Sequence, residues 1–189
     1  MATRLNPERI DLRALAQSGE TLSADDALAL FPRLAGTQAG TGSGVRWSAL
    51  AEWRRPMPGL DAAAAAGGAA QQPVLWLHLQ AQATVDMTCQ RCLGPAPQAL
   101  ETDRWFRFVA DEATADAEDE DSEEDVLVFS QAFNLRELVE DELIMAQPLV
   151  PMHETCPTPL VVRDAAPPAE APAERPHPFA ALAQLKKKP

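Results

Sequence analysis

Tyrosine is absent from this chain of 189 residues, and Phe and Trp number only six and four. Hydrophobic residues reach 46%, but much of that is alanine, so the buried core has to be modest. No apolar run approaches the roughly 20 residues that cross a bilayer. The start of the chain has no basic region followed by an apolar one, so no secretory leader is expected. Cysteine is limited to three. An odd count does not suit a secreted disulfide framework and indicates a reducing cytoplasm, with thiols free or on a metal. There is no Gly-rich phosphate loop and no Ser, His and carboxylate grouping. Nothing argues for an enzyme or for a small-molecule substrate.

Bases are also scarce, 16 against 28 acids, and the net charge of −12 is unevenly placed. Residues 111–125 hold ten acids and no Lys or Arg; outside them 18 acids face 16 bases. Broad nucleic-acid binding needs clustered basic side chains to displace counterions, and that footprint is weak. The acidic run reads as a solvated, self-repelling loop. Its functional alternative is a mimic of nucleic-acid charge that holds a basic protein.

What remains is patterned. Residues 7–17 read as a short helix stopped by Ser18-Gly19. Ser23 is placed to cap a second helix, with Asp26 three residues on and Leu28, Leu30 and Phe31 as its contacts. Pro32 would limit its length. Residues 35–44 read as a loop. From Val45 to Arg54 apolar and polar residues alternate, the period of a half-buried strand. Residues 56–73, rich in Pro, Gly and Ala, read as a long connection. The clearest strand follows: Leu75, Leu77, Leu79, Ala81, Ala83, Val85 and Met87 share one face, Trp76, His78 and Gln80 the other. A partner strand runs from Leu100 to Val109, so the two form a hairpin. After the acidic run come a short strand, Val126–Phe129, and a helix capped by Asn134. Leu135, Leu138, Val139, Leu143 and Ala146 form that helix's apolar stripe. The expected fold is α+β: a curved antiparallel sheet or partly closed barrel, flanking helices and a C-terminal tail. One domain covers 1–156, a Pro-rich linker 157–177, and a short basic helix 178–189.

All three cysteines lie in two short segments. Cys89-Gln90-Arg91-Cys92 occupies the hairpin tip, and His153-Glu154-Thr155-Cys156 repeats the spacing 60 residues on. Cys89, Cys92, His153 and Cys156 have the number and type of ligands for a tetrahedral zinc site. The alternatives are a reduced pair beside a surface histidine, and a redox-active pair. The last is disfavoured because Gly94, Pro95 and Pro97 follow where a helix N-terminus would lower the thiol pKa. Trp47, Trp53, Trp76 and Trp105 with Arg54, Arg55, Arg91, Arg104 and Arg107 offer stacking and phosphate contacts. Sheet packing explains the tryptophans as well. His78 reads as an ordinary surface or edge residue.

Several segments together are similar to one known family. They are Cys89-Gln90-Arg91-Cys92-Leu93, the helix Leu138-Val139-Glu140-Asp141-Glu142-Leu143-Ile144 with Pro148-Leu149-Val150-Pro151-Met152-His153 after it, and Pro178-Phe179-Ala180-Ala181-Leu182 before the final lysines. With Pro7-Glu8-Arg9-Ile10-Asp11 near the start, they resemble the bacterial YceD family, the large ribosomal RNA subunit accumulation proteins. The alanine-rich stretch 62–70 and the length of the linker depart from it. The resemblance implies a cytoplasmic, non-enzymatic factor for synthesis, processing or stability of 23S rRNA. Its partner would be that RNA or a large-subunit assembly protein, directly or indirectly. It assigns no binding residues.

Overall fold

A computed structural model describes residues 6–40, 42–55, 73–119 and 122–157. The described elements all fall within the unit Met1–Cys156. The connection expected at 56–73 lies almost wholly outside the described residues, as do the linker beyond Pro157 and the basic helix at 178–189.

The long alternating segments form the sheet. Strands β2 (Val45–Arg54), β3 (Val74–Thr88) and β4 (Pro95–Val109) pair antiparallel, with Leu79 opposite both Ala49 and Arg104. Leu77, Leu79, Val85, Leu100 and Phe106 are buried on one face with Val45 and Trp47. Each large side chain so buried contributes roughly 1.5–3 kcal/mol. Strand β1 (Thr21–Asp26) adds to β2, and β5 (Asp125–Val128) adds to β4, giving the order β1-β2-β3-β4-β5. The architecture is α+β with a curved sheet. The sheet stays open and is mixed, because β5 runs parallel to β4.

Helix α4 (Leu135–Met145) buries Leu135, Val139 and Leu143 within the same core. Asn134 caps it as expected: its Oδ1 accepts from the Glu137 N–H, and its amide donates to the Glu137 carboxylate. Helix α1 (Leu12–Ser18) is capped by Asp11 and ends at Gly19, whose φ of 65° suits glycine.

Three expectations need correction. Ser23 caps no helix, because Thr21–Asp26 is strand β1, pairing residue by residue with Leu50 to Val45. A neighbouring strand with open hydrogen-bonding groups outweighs a local capping pattern. The helix comes later, at α2 (Pro32–Gly36), where Pro32 opens the first turn rather than closing the last. The acidic run 111–125 is likewise not a loop throughout. Helix α3 (Glu112–Asp119) occupies its first half and β5 begins at its last residue. Asp111 caps α3 by accepting from the Thr114 N–H, Ala115 is buried, and Glu118 pairs with Arg107.

The hairpin strand also begins earlier than Leu100. Pro95 and Pro97 sit in β4 where its outer edge has no strand partner, so their missing N–H groups leave no ladder bond unmade.

Candidate metal centre

The β3–β4 turn is built around Cys89. Its N–H donates to the carbonyl of Gly94 and its carbonyl accepts from the Leu93 N–H, both at 2.9 Å. That pattern forces Leu93 to φ 60° and turns Cys89 and Cys92 toward one another. The second pair arrives through α4. The helix packs beneath the sheet, and the segment after it returns to the hairpin tip. There the Gln90 N–H donates to the Pro151 carbonyl at 2.9 Å. The Gln98 amide donates to the Met152 carbonyl at 3.4 Å.

The structure therefore brings the four residues together. One donor atom from each of Cys89, Cys92, His153 and Cys156 lies within 4.8 Å of all the others. Cys89 Sγ is 3.9 Å from Cys156 Sγ, and Cys92 Sγ is 3.4 Å from His153 Nδ1. Zinc bonds of about 2.3 Å to sulfur and about 2.0 Å to nitrogen set tetrahedral edges near those separations, about 3.8 and 3.5 Å. The histidine is oriented for the task. Its Nε2 lies 2.8 Å from the Pro95 carbonyl. A carbonyl only accepts, so Nε2 carries the proton and Nδ1 presents its lone pair to the cluster.

Electrostatics point the same way for the buried cysteine. Backbone N–H groups, chiefly that of Cys92 and also those of His153 and Arg91, hold the Cys89 thiol down at about 5, helped by the His153 ring and against the opposing effect of burial. Burial first, then the neighbouring Cys92 and Cys89 sulfurs, pushes the Cys156 thiol up. Thiolates crowded together in this way are the state a cation would stabilise. The turn runs into β4, not into a helix, so the pair lacks the usual setting of a redox dithiol.

Of the other candidates, Arg54, Trp76, Trp105 and His78 gather on one face of the sheet, and the rest lie apart from them or are engaged elsewhere. Trp47 is buried. His78 stacks on Trp105 at 4.2 Å, with its Nε2 2.6 Å from Asp103. Arg54 covers the other rings of that face, 3.6 Å from Trp105 and 5.0 Å from Trp76. Arg104 pairs with Asp125 and Glu142, and Arg107 with Glu118. Arg91 stands exposed at the hairpin tip, and Trp53 and Arg55 are exposed at the end of β2.

The acids of α4 have roles that periodicity did not assign. Glu140 Oε1 accepts from the N–H groups of Arg33 (2.7 Å) and Leu34 (3.1 Å), and Oε2 from Arg33 Nε (3.0 Å). Glu142 accepts from Thr102 Oγ1 at 3.2 Å. Three consecutive acids on a helix sweep most of its circumference, so some must flank the buried stripe. That was the available signal.

The family model for "Large ribosomal RNA subunit accumulation protein YceD" matches residues 77–186. A Haemophilus influenzae protein named large ribosomal RNA subunit accumulation protein YceD is 40% identical over 119 residues, covering 62% of this chain and 68% of its own. No solved structure matches. Among the described residues, no helix is long and apolar enough to cross a membrane.

Proposed function

This chain belongs to the YceD family, and from that premise we propose that it is a non-enzymatic factor supporting 23S rRNA synthesis, processing or stability in large ribosomal subunit biogenesis. Family membership is the observation that carries this reading. It acts in the cytoplasm, on the RNA or on a large-subunit assembly protein.

Zinc fits the cluster as a structural ion. Cys89, Cys92, His153 and Cys156 would supply all four positions, leaving none open for a substrate. Bound zinc supplies a cross-link between the hairpin tip and the segment after α4. The backbone N–H groups of the two segments favour the Cys89 thiolate, the Pro95 carbonyl fixes the His153 tautomer, and the fold keeps Cys89 from water.

A second reading draws on the acid excess. Ten acids in 111–125 offer a surface for a basic ribosomal protein.

Deleting the gene tests the first reading. The ratio of 23S to 16S rRNA is expected to fall and to recover with the wild-type chain. An unchanged ratio contradicts it. Pull-down after nuclease treatment separates the two readings, since a partner lost with the RNA was tethered through it.

A further inference from the structure

Two of the four tryptophans stand on the sheet face turned away from the core. Trp47 shows where a packing tryptophan goes: it is buried with residues of α1, α2 and α4. Trp76 and Trp105 point the other way, and the register sets their neighbours. Glu52, Trp76 and Arg107 form one row across β2, β3 and β4, and Leu50, His78 and Trp105 form the next. Ser48, Gln80 and Asp103 form the row after that. The rings are framed by polar side chains, and Leu50 is the one aliphatic residue in those rows. The cluster is ordered as a stack. The His78 ring lies 4.2 Å from that of Trp105 at an interplanar angle of 8°. The Arg54 guanidinium lies 3.6 Å over Trp105 and 5.0 Å from the centre of Trp76. The polar members are held from outside. Arg54 Nε donates to Glu52, and Asp103 holds His78 Nε2 at 2.6 Å and accepts from Gln80 at 2.8 Å. Their orientation is set before a ligand arrives, which lowers the cost of binding one. The Arg54 side chain is still 38% exposed and that of His78 24%, so planar groups reach the surface.

We propose that Arg54, Trp76, His78 and Trp105 form a platform on which bases of single-stranded RNA stack. This rests on the family reading above and names the site at which RNA is met. A base offers what this surface is built to take: a flat π face for the rings and guanidinium, and a polar edge for Gln80 and Ser48. An apolar patch on a protein would instead bury Glu52 and Gln80 against carbon, at a cost. Phosphates contribute little. Arg54 is paired with Glu52 and Arg107 with Glu118, and Asp103 adds an acid beside His78. Charge next to the stack is therefore nearly balanced, and recognition runs through bases and not backbone. That agrees with the weak basic footprint of the chain and entails a shallow dependence on salt.

Titrating the full chain into an end-labelled single-stranded RNA of about ten nucleotides, and into an abasic strand of the same length, tests this by fluorescence anisotropy. The intact strand is expected to bind at least about fivefold more tightly than the abasic one. Its log affinity is expected to fall with log salt at a slope no steeper than about −2. Arg54→Lys keeps the charge and loses the plane, and is expected to weaken binding about fivefold or more. Arg46→Lys makes the same exchange at the other end of β2 and is expected to bind as the wild type does. Equal affinity for the two strands, no binding of either, or an Arg54→Lys affinity equal to the wild type's overturns the proposal. So does a photo-reactive phenylalanine analogue at Gln80 that cross-links in cells to a protein and not to RNA. Such a failure with 23S accumulation still dependent on the gene leaves the family role standing. Base-dependent binding with unchanged 23S levels overturns the role and not the platform.

Discussion

Glu140 is 6% exposed and carries a formal charge, yet every oxygen has a donor. It ties α4 to the first turn of α2 by capping N–H groups that have no helical partner. Hydrogen bonds to charged groups contribute about 1.5–3 kcal/mol, so Glu140→Ala is expected to lower stability by roughly 2–3 kcal/mol in urea unfolding. Asp141→Ala, which breaks only a half-exposed pair with Arg33, is expected to cost under about 1 kcal/mol. A second residue gives a pH prediction. Donation from Gln80 and then His78 holds the Asp103 carboxyl below its ordinary 3.8. A depressed carboxylate contributes stability that is present above 3.8 and lost as pH falls through the lowered value. An NMR titration should place the Asp103 midpoint below 3.8 and show it rising in Gln80→Ala. At this scale the sequence was legible in kind more than in partner. The ligand types at Cys89 and His153 were plain, while Glu140's role required knowing that α2 lies against α4.

Among the elements, the period-two strands were the most readable. β2, β3 and the second half of β4 appear where alternation put them, because one buried face dictates side-chain period directly. β1 was missed since Ser23 and Asp26 also make a good cap, and only the open edge of β2 decides between the two. α3 was missed since charge density argued for a loop, while three alanines, an Asp111 cap and the Arg107–Glu118 pair made a helix. The hairpin tip supplies its own test. Leu93→Gly removes a left-handed conformation that costs an L-residue roughly 1–2 kcal/mol, less the greater unfolded-state freedom of glycine. A gain of about 1 kcal/mol in the urea unfolding free energy is expected. A loss would mean that the Leu93 side chain is packed.

Across the whole molecule, two segments 60 residues apart meet because α4 spans the buried face between them. The sequence showed the matching spacings but not their convergence, which is a property of the α4 packing and of the Gln90–Pro151 contact. Bound metal would supply folding energy to the ends it joins. A chelator is expected to lower the thermal midpoint and to speed amide exchange at 90–94 and 148–156, while β2 and β3 stay protected. The most direct measurement is metal content of the chain purified without chelators. Close to one zinc per chain is expected in the wild type, lost in Cys89→Ser and equally in Cys156→Ser. A folded wild-type chain free of metal, or full zinc retained by Cys156→Ser, would contradict it.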